Sequence, residues 1–229
     1  MHILNIKNIK YKYSYKNVIM ETLECIRTRR SIRKYKDKDV EWDKVVQILD
    51  AGRFAPSAGN IQNWKFVAVR EEGVRKKLAQ AAFDQQWMEE VPVHIVIAGE
   101  PEKADRFYGS RGERLYTIQN CAAVIENMML AANDLGLGSC WIGAFDEYKV
   151  KRAVGIPDDV SVQAILTIGY ADEKPEMPSR KALEHIVYLD RWFNKGQGHK
   201  ARGYKSVVIK DAIEKTKKAV KKIAKKITK

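Results

Sequence analysis

The chain has 229 residues, 45% of them hydrophobic, with five Trp and ten Tyr. This excludes a disordered or low-complexity protein and allows a sizeable core in one domain, or at most two. The formal net charge of +13 looks like a nucleic-acid signal until it is located: residues 195–229 carry +11, residues 1–19 carry +4, and the stretch between is near −2. The basicity therefore belongs to the two ends and not to the body.

Cys25, Cys121 and Cys140 are odd in number, far apart and without a CxxC pair, which argues against a disulfide framework and fits a reducing cytoplasm. The four histidines show no metal-ligand spacing, so no metal site is expected. No apolar run approaches the roughly 18 residues that span a bilayer. Residues 1–19 alternate Lys, Tyr, Asn and Ile without the continuous apolar core of a signal peptide. They read as an extension ahead of a functional start at Met20.

In chain order, Glu21 to Arg29 predicts a short helix with Leu23 and Ile26 on its apolar face. It runs into Arg29-Arg30-Ser31-Ile32-Arg33-Lys34, four cations flanking one hydroxyl. Such a cluster either complements a helix C-terminus or forms an anion site, with Arg forks matching phosphate oxygens and Ser31 adding a hydrogen bond. Asp39 to Phe54 is the next helix, with Val45, Val46, Leu49 and Phe54 on one face, and Pro56 ends it. The loop Ala55-Pro56-Ser57-Ala58-Gly59-Asn60-Ile61-Gln62-Asn63 is small and amide-rich. It either simply joins helix to strand or grips a polar, planar ligand.

A strand over 64–70, a helix over 72–82 and a break at 83–87 follow, then an apolar strand over 91–98 with Pro92 at its start. His94 within that strand reads as a satisfied core residue and not a catalyst. Residues 100–112, with Gly109 and Gly112, read as a mobile surface loop. Glu113 to Leu135 is the longest helix of the body, with Leu115, Ile118, Ala122, Ile125, Met129 and Ala132 on one stripe and Val124, Met128, Leu130 and Ala131 on another. A helix apolar nearly all round is buried, either in a core or between subunits.

The glycines of Gly136-Leu137-Gly138-Ser139-Cys140-Trp141-Ile142-Gly143 follow a helix and have the wrong spacing for a dinucleotide fingerprint. Gly136 reads instead as a helix C-cap, Ser139 to Ile142 as a short strand, and Gly143 as bare backbone that a flat ligand can approach. Asp146 can cap a helix ending near Ala153, and a strand runs from Val160 to Tyr170. Arg180 and Lys181 form a second cationic pair, and Glu184 to Tyr188 reads as extended. Residues 196–203 read as a linker and 205–229 as a basic amphipathic helix. Its charges are either a solvated face or a surface for an anionic partner such as a membrane or nucleic acid.

Taken together, the order helix, RRSxR, helix, APSAGNxQNW, strand, apolar strand, long buried helix, GLGSCWIG, GIP turn, strand, Arg-Lys resembles the nitroreductase-like family of FMN-dependent oxidoreductases over residues 21–194. The resemblance implies an α+β fold over residues 20–195, a central, mostly antiparallel sheet flanked by helices, forming an intertwined homodimer with FMN in the subunit interface. By position it implies that Arg29, Arg30, Ser31 and Arg33 hold the phosphate and the flavin's pyrimidine edge. Pro56, Ser57, Ala58 and Asn60 would form the loop contributed by the second subunit, and Gln85 (or, on a competing alignment, Asp84) would contact ribityl or ring. Ile142 and Gly143 would lie beside the reactive edge, and Arg180, with Lys181, at the distal phosphate.

The implied activity is ping-pong hydride transfer from NADH or NADPH through FMN to a nitroaromatic, quinone or similar acceptor, with the chemistry on the cofactor and no side-chain nucleophile. Trp141 departs from the family's pattern beside the reactive segment. A specialised flavin enzyme of the same fold, a dehalogenase or flavin destructase, is the neighbouring reading. A non-enzymatic binding protein acting through the basic tail is the reading from another class.

Overall fold

Val93, Ile95 and Ile97 alternate with His94 and Val96, and both sets are apolar enough to bury, so this segment can only be a central strand. The computed structural model, which describes residues 21–194, places it there. The strands β1 (Trp64–Val69), β2 (Val93–Gly99), β3 (Gly138–Ile142) and β4 (Ser161–Gly169) form one antiparallel sheet in the order β1-β2-β4-β3. A bulge between Ile97 and Ala98 shifts the β2–β4 register. Val162 and Ile165, three residues apart, thereby pack into the same core.

Helices cover both faces. The side chains of Val93, Ile95, Ile97, Ala164, Leu166 and Ile168 pack against α2 (Trp42–Arg53) and α5 (Thr117–Asp134). Val69, Val96, Val162 and Ile165 pack against α3 (Glu72–Ala81) and α6 (Glu147–Val154). The Asp146 carboxylate caps α6 by accepting from the Lys149 amide at 3.1 Å, as its sequence position predicts. The α+β architecture with an antiparallel sheet between helices is thus the expected one. The chain divides into two units, Met1–Met177 and Pro178–Lys229. The basic ends, residues 1–20 and 195–229, lie outside the described residues, and with them the start at Met20 and the amphipathic helix.

Several local expectations are corrected. The first helix, α1 (Thr22–Thr28), buries Cys25 and leaves Leu23 and Ile26 about half exposed. In α2 the buried positions are Val45, Ile48, Asp50 and Gly52, while Phe54 faces solvent. Residues 100–112 are not a loop: Pro101–Arg111 is a helix, α4, with proline in its first turn and a kink at Gly109, where φ is 57°. Gly112 then opens a π-helical turn, Gly112–Tyr116, that leads into α5. Residues 183–186 form a one-turn helix, α7 (Leu183–Ile186), in place of the extended segment, and the backbone becomes extended only at Val187.

Candidate functional site

The cationic turn that leaves α1 lies along the sheet edge. Ser31 forms an isolated parallel bridge with Ser139 of β3, and the Ile32 amide donates to the Ser139 carbonyl at 3.0 Å. A cavity of about 300 Å³ opens beside this junction, lined by Arg29, Arg30, Asn133, Gly138, Ser139 and Lys174 among others. Asn133 at the end of α5 ties the turn down by donating to the Cys25 carbonyl and the Thr28 hydroxyl, both at 3.1 Å.

The cations differ in what they already hold. Arg30 donates to the carbonyls of Arg27 and Arg29, the helix-terminus role, while its Nε is buried without a partner. Arg29 faces Glu126 at 3.8 Å. The side chain of Arg33 is exposed, and the amides of Arg33 and Lys34 are taken by the Glu173 carboxylate, a partner that nothing in the sequence signalled. Burial pushes the Cys140 thiol up, opposed by the charge of Arg33, a hydrogen bond from Ser31 and the charge of Arg29. A buried thiol held protonated is a poor nucleophile, and β3 serves here as backbone.

The segment after β3 belongs to the same end of the sheet. Ile142 is buried in the core, so only its backbone faces outward, whereas Gly143 is exposed. A Cβ at Gly143 would meet nothing nearer than the Trp141 indole nitrogen, at 3.7 Å. The Asp146 amide donates to the Ala81 carbonyl at 2.8 Å, which brings the end of α3 alongside. Phe83 and Asp84 there take positive φ, and the Gln85 side chain donates from Nε2 to the Ala82 carbonyl at 3.0 Å. Arg29, Ser31, Arg33, Gln85 and Gly143 thus border one edge of the body.

The loop of Pro56, Ser57, Ala58 and Asn60 lies elsewhere. It turns through Gly59, Asn60 and Gln62, all with φ near +50° (51°, 55° and 47°). The Ala58 amide is anchored on the side-chain Oδ1 of Asn120 at 3.0 Å, near the start of α5. Asn133, beside the cationic turn, is thirteen residues further along the same helix, about 20 Å away at 1.5 Å per residue. Within one chain the two groups sit at opposite ends of α5.

Arg180 and Lys181 belong to the second unit, where Arg180 donates to the carbonyls of Pro178 and Ser179. Among the described residues no group of three or more His, Cys, Asp or Glu is placed to hold a metal ion, and no helix is long and apolar enough to cross a membrane. His94 is in the core as expected, but only half satisfied: Nε2 meets the Met88 carbonyl at 2.9 Å and Nδ1 has no partner.

The model of the nitroreductase family matches residues 26–90 and 79–170, well over half of the chain. This chain belongs to the nitroreductase family. A relative from Archaeoglobus fulgidus, provisionally named an NADH dehydrogenase/NAD(P)H nitroreductase, is 36% identical over 159 residues, covering 67% of this chain and 88% of that protein. The NADH dehydrogenase of Thermus thermophilus is 31% identical over 186 residues, covering 69% and 91%. Among solved structures, an FMN-dependent nitroreductase from Clostridium difficile superposes with a TM-score of 0.63 at 28% identity, covering 74% of this chain and 99% of that one. As a nitroreductase-family member the chain is an oxidoreductase, and its sheet and helix layers are those of the family.

Proposed function

We propose that the chain is an FMN-dependent NAD(P)H oxidoreductase that works as a homodimer in the cytoplasm and delivers electrons to a small acceptor of the nitroaromatic or quinone class. The observation that carries this is the Arg29–Arg33 turn bridged onto the edge of β3, with a cavity of about 300 Å³ beside it and the open backbone of Gly143 further along the same edge. The C. difficile structure is titled FMN-dependent, which supports the choice of cofactor.

The residues present fit that cofactor. An anionic phosphate would find Arg29, Lys174 and the unpartnered Nε of Arg30 in the cavity wall. Ser31 and Arg33 would hold the polar edge of a flat ring, whose negative charge a nearby cation favours. Ile142 and Gly143 offer backbone only, and Gln85 a side-chain amide from the end of α3. FMN held there would supply the redox chemistry, a ping-pong relay of electrons from NAD(P)H to the acceptor. The protein's part is to bind, orient and exclude water, and the reading assigns no side-chain nucleophile.

Distance supports the dimer. Pro56, Ser57, Ala58 and Asn60 are about 20 Å from the cationic turn along α5, too far to close over a ring held there. A second copy with its α5 antiparallel would bring its loop to that ring. Leu23, Ile26 and Ile118, roughly half exposed on α1 and α5, supply apolar surface for such a contact. Three buried, unpaired cysteines suit a reducing compartment.

The test is the visible spectrum of the purified protein incubated with excess FMN and then dialysed. A retained flavin band that bleaches on anaerobic addition of NADH or NADPH is expected. A colourless protein after reconstitution would overturn the reading.

A further inference from the structure

The loop of Ser57 to Gln62 is costly to form, because two of its three left-handed residues, Asn60 and Gln62, are not glycine. Such conformations persist only where the surroundings over-determine them. Local bonds supply part of the hold: the Gln62 amide donates to the Ser57 hydroxyl at 3.1 Å, and the Gln62 side chain to Asn60 Oδ1 at 2.9 Å. These groups are exposed, so water competes with them.

The remaining hold comes from a buried chain of hydrogen bonds running one way. The Ala58 amide donates to Asn120 Oδ1 at 3.0 Å, and Asn120 Nδ2 donates to Asn63 Oδ1 at 2.8 Å. Asn63 Nδ2 donates to the Thr117 hydroxyl and the Glu100 carbonyl, both at 3.0 Å. The Thr117 hydroxyl then donates to the Gly112 carbonyl at 3.1 Å. Because Ala58 can only donate and Gly112 can only accept, every amide and hydroxyl between them has its orientation fixed. Asn63, Asn120 and Thr117 are each at least 95% buried, so water cannot replace a lost partner. The chain joins the loop to the start of α5, to the π-helical turn and to the end of β2. From the other side, the Tyr108 hydroxyl of α4 lies so close to Gly59 that a Cβ there would collide with it.

We propose that Asn120, oriented by Asn63 and Thr117, is a positioning residue that sets the conformation of the Ser57–Gln62 loop and through it the affinity for FMN. This rests on the flavin reading above, and two readouts separate them. The first needs no flavin: amide hydrogen exchange of the full chain, comparing wild type with Asn120→Ala and Thr117→Val. Exchange at Ala58 and its loop neighbours should quicken by about tenfold in Asn120→Ala and by less in Thr117→Val. The second is FMN titration with the visible circular dichroism of the bound flavin. Asn120→Ala should raise Kd about tenfold and alter the flavin band. Leu78→Ala, a core truncation under α3, should lower Tm at least as much yet leave both loop exchange and flavin band unchanged.

Wild-type loop exchange in Asn120→Ala, or equal effects from Leu78→Ala, would overturn the positioning role. A slackened loop with unaltered Kd would overturn its link to the cofactor. A wild type that takes up no FMN would sink the flavin reading and the affinity clause with it, while the exchange arm still decides whether Asn120 sets the loop.

Discussion

Protonating His94 would put a charge in the core with only one of its two N–H groups paired. Its Nε2 proton is already committed to the Met88 carbonyl, and Nδ1 faces no acceptor among the described residues. Burial lowers its pKa from 6.5 to about 4, with the charge of Arg75 adding to the shift. The neutral form is thus favoured in the fold, while the unfolded chain takes up a proton from 6.5 downward. Stability from this group is complete above pH 6.5, falls as the pH drops through that value and is gone below about 4, a loss of about 3 kcal/mol. Urea denaturation between pH 7.5 and 3.5 checks this against His94→Leu, whose stability should fall less steeply whatever its absolute value; parallel slopes would refute it. Sequence reasoning placed His94 in the core but could not see the empty Nδ1, which depends on what β2 packs against. Asn120 was missed for a related reason. It belongs to the buried stripe of Thr117, Asn120, Cys121 and Val124, and a polar residue on such a stripe was the available signal.

Elements were legible where one physical cue dominated. Apolar and β-branched runs marked the strands, and Asp146 marked the start of α6. The helix α4 was hidden because its glycines suggested a loop, although Pro101 at its first turn marked a helix start. Gly109 makes the kink by taking a positive φ in open space, whereas a Cβ at Gly112 would collide with the Ala104 carbonyl, so only Gly112 serves close packing between helical turns. The RRSxR turn was legible as an anion site, but its division of labour was not, since Arg30 spends its guanidinium on the end of α1. Arg29→Ala combined with Arg33→Ala should therefore weaken FMN binding by at least about 100-fold, at roughly 1.5–3 kcal/mol per charge-assisted contact. The fold should survive, because the Ile32–Ser139 and Glu173 contacts use the backbone. Fluorescence titration and a thermal melt check this together; an unchanged Kd would remove both arginines from the site.

For the whole molecule the long helix poses the question that a single chain leaves open. Its sequence is apolar on nearly every side, yet burial within the chain falls on Thr117, Asn120, Cys121, Val124, Ile125, Met128, Met129 and Ala132. Of the expected stripe, Ile125, Met129 and Ala132 are buried, whereas Ala122 is half-buried and Ile118 is 52% exposed. An apolar side chain left out of its own core, next to the half-site that Asn120 anchors, is what an obligate partner would cover. Ile118→Glu would then bury an unpaired charge in that contact, at about 3 kcal/mol or more. The dimer constant should weaken by about two powers of ten, with the far-UV spectrum of the subunit retained. Sedimentation over a protein dilution series reads the association, and flavin retained on the same samples reads the site. If loop and cationic turn serve one ring across two chains, flavin and dimer must be lost in proportion. An Ile118→Glu protein that stays dimeric would remove Ile118 from the contact, and a monomer that holds flavin tightly would show that the site closes within one chain.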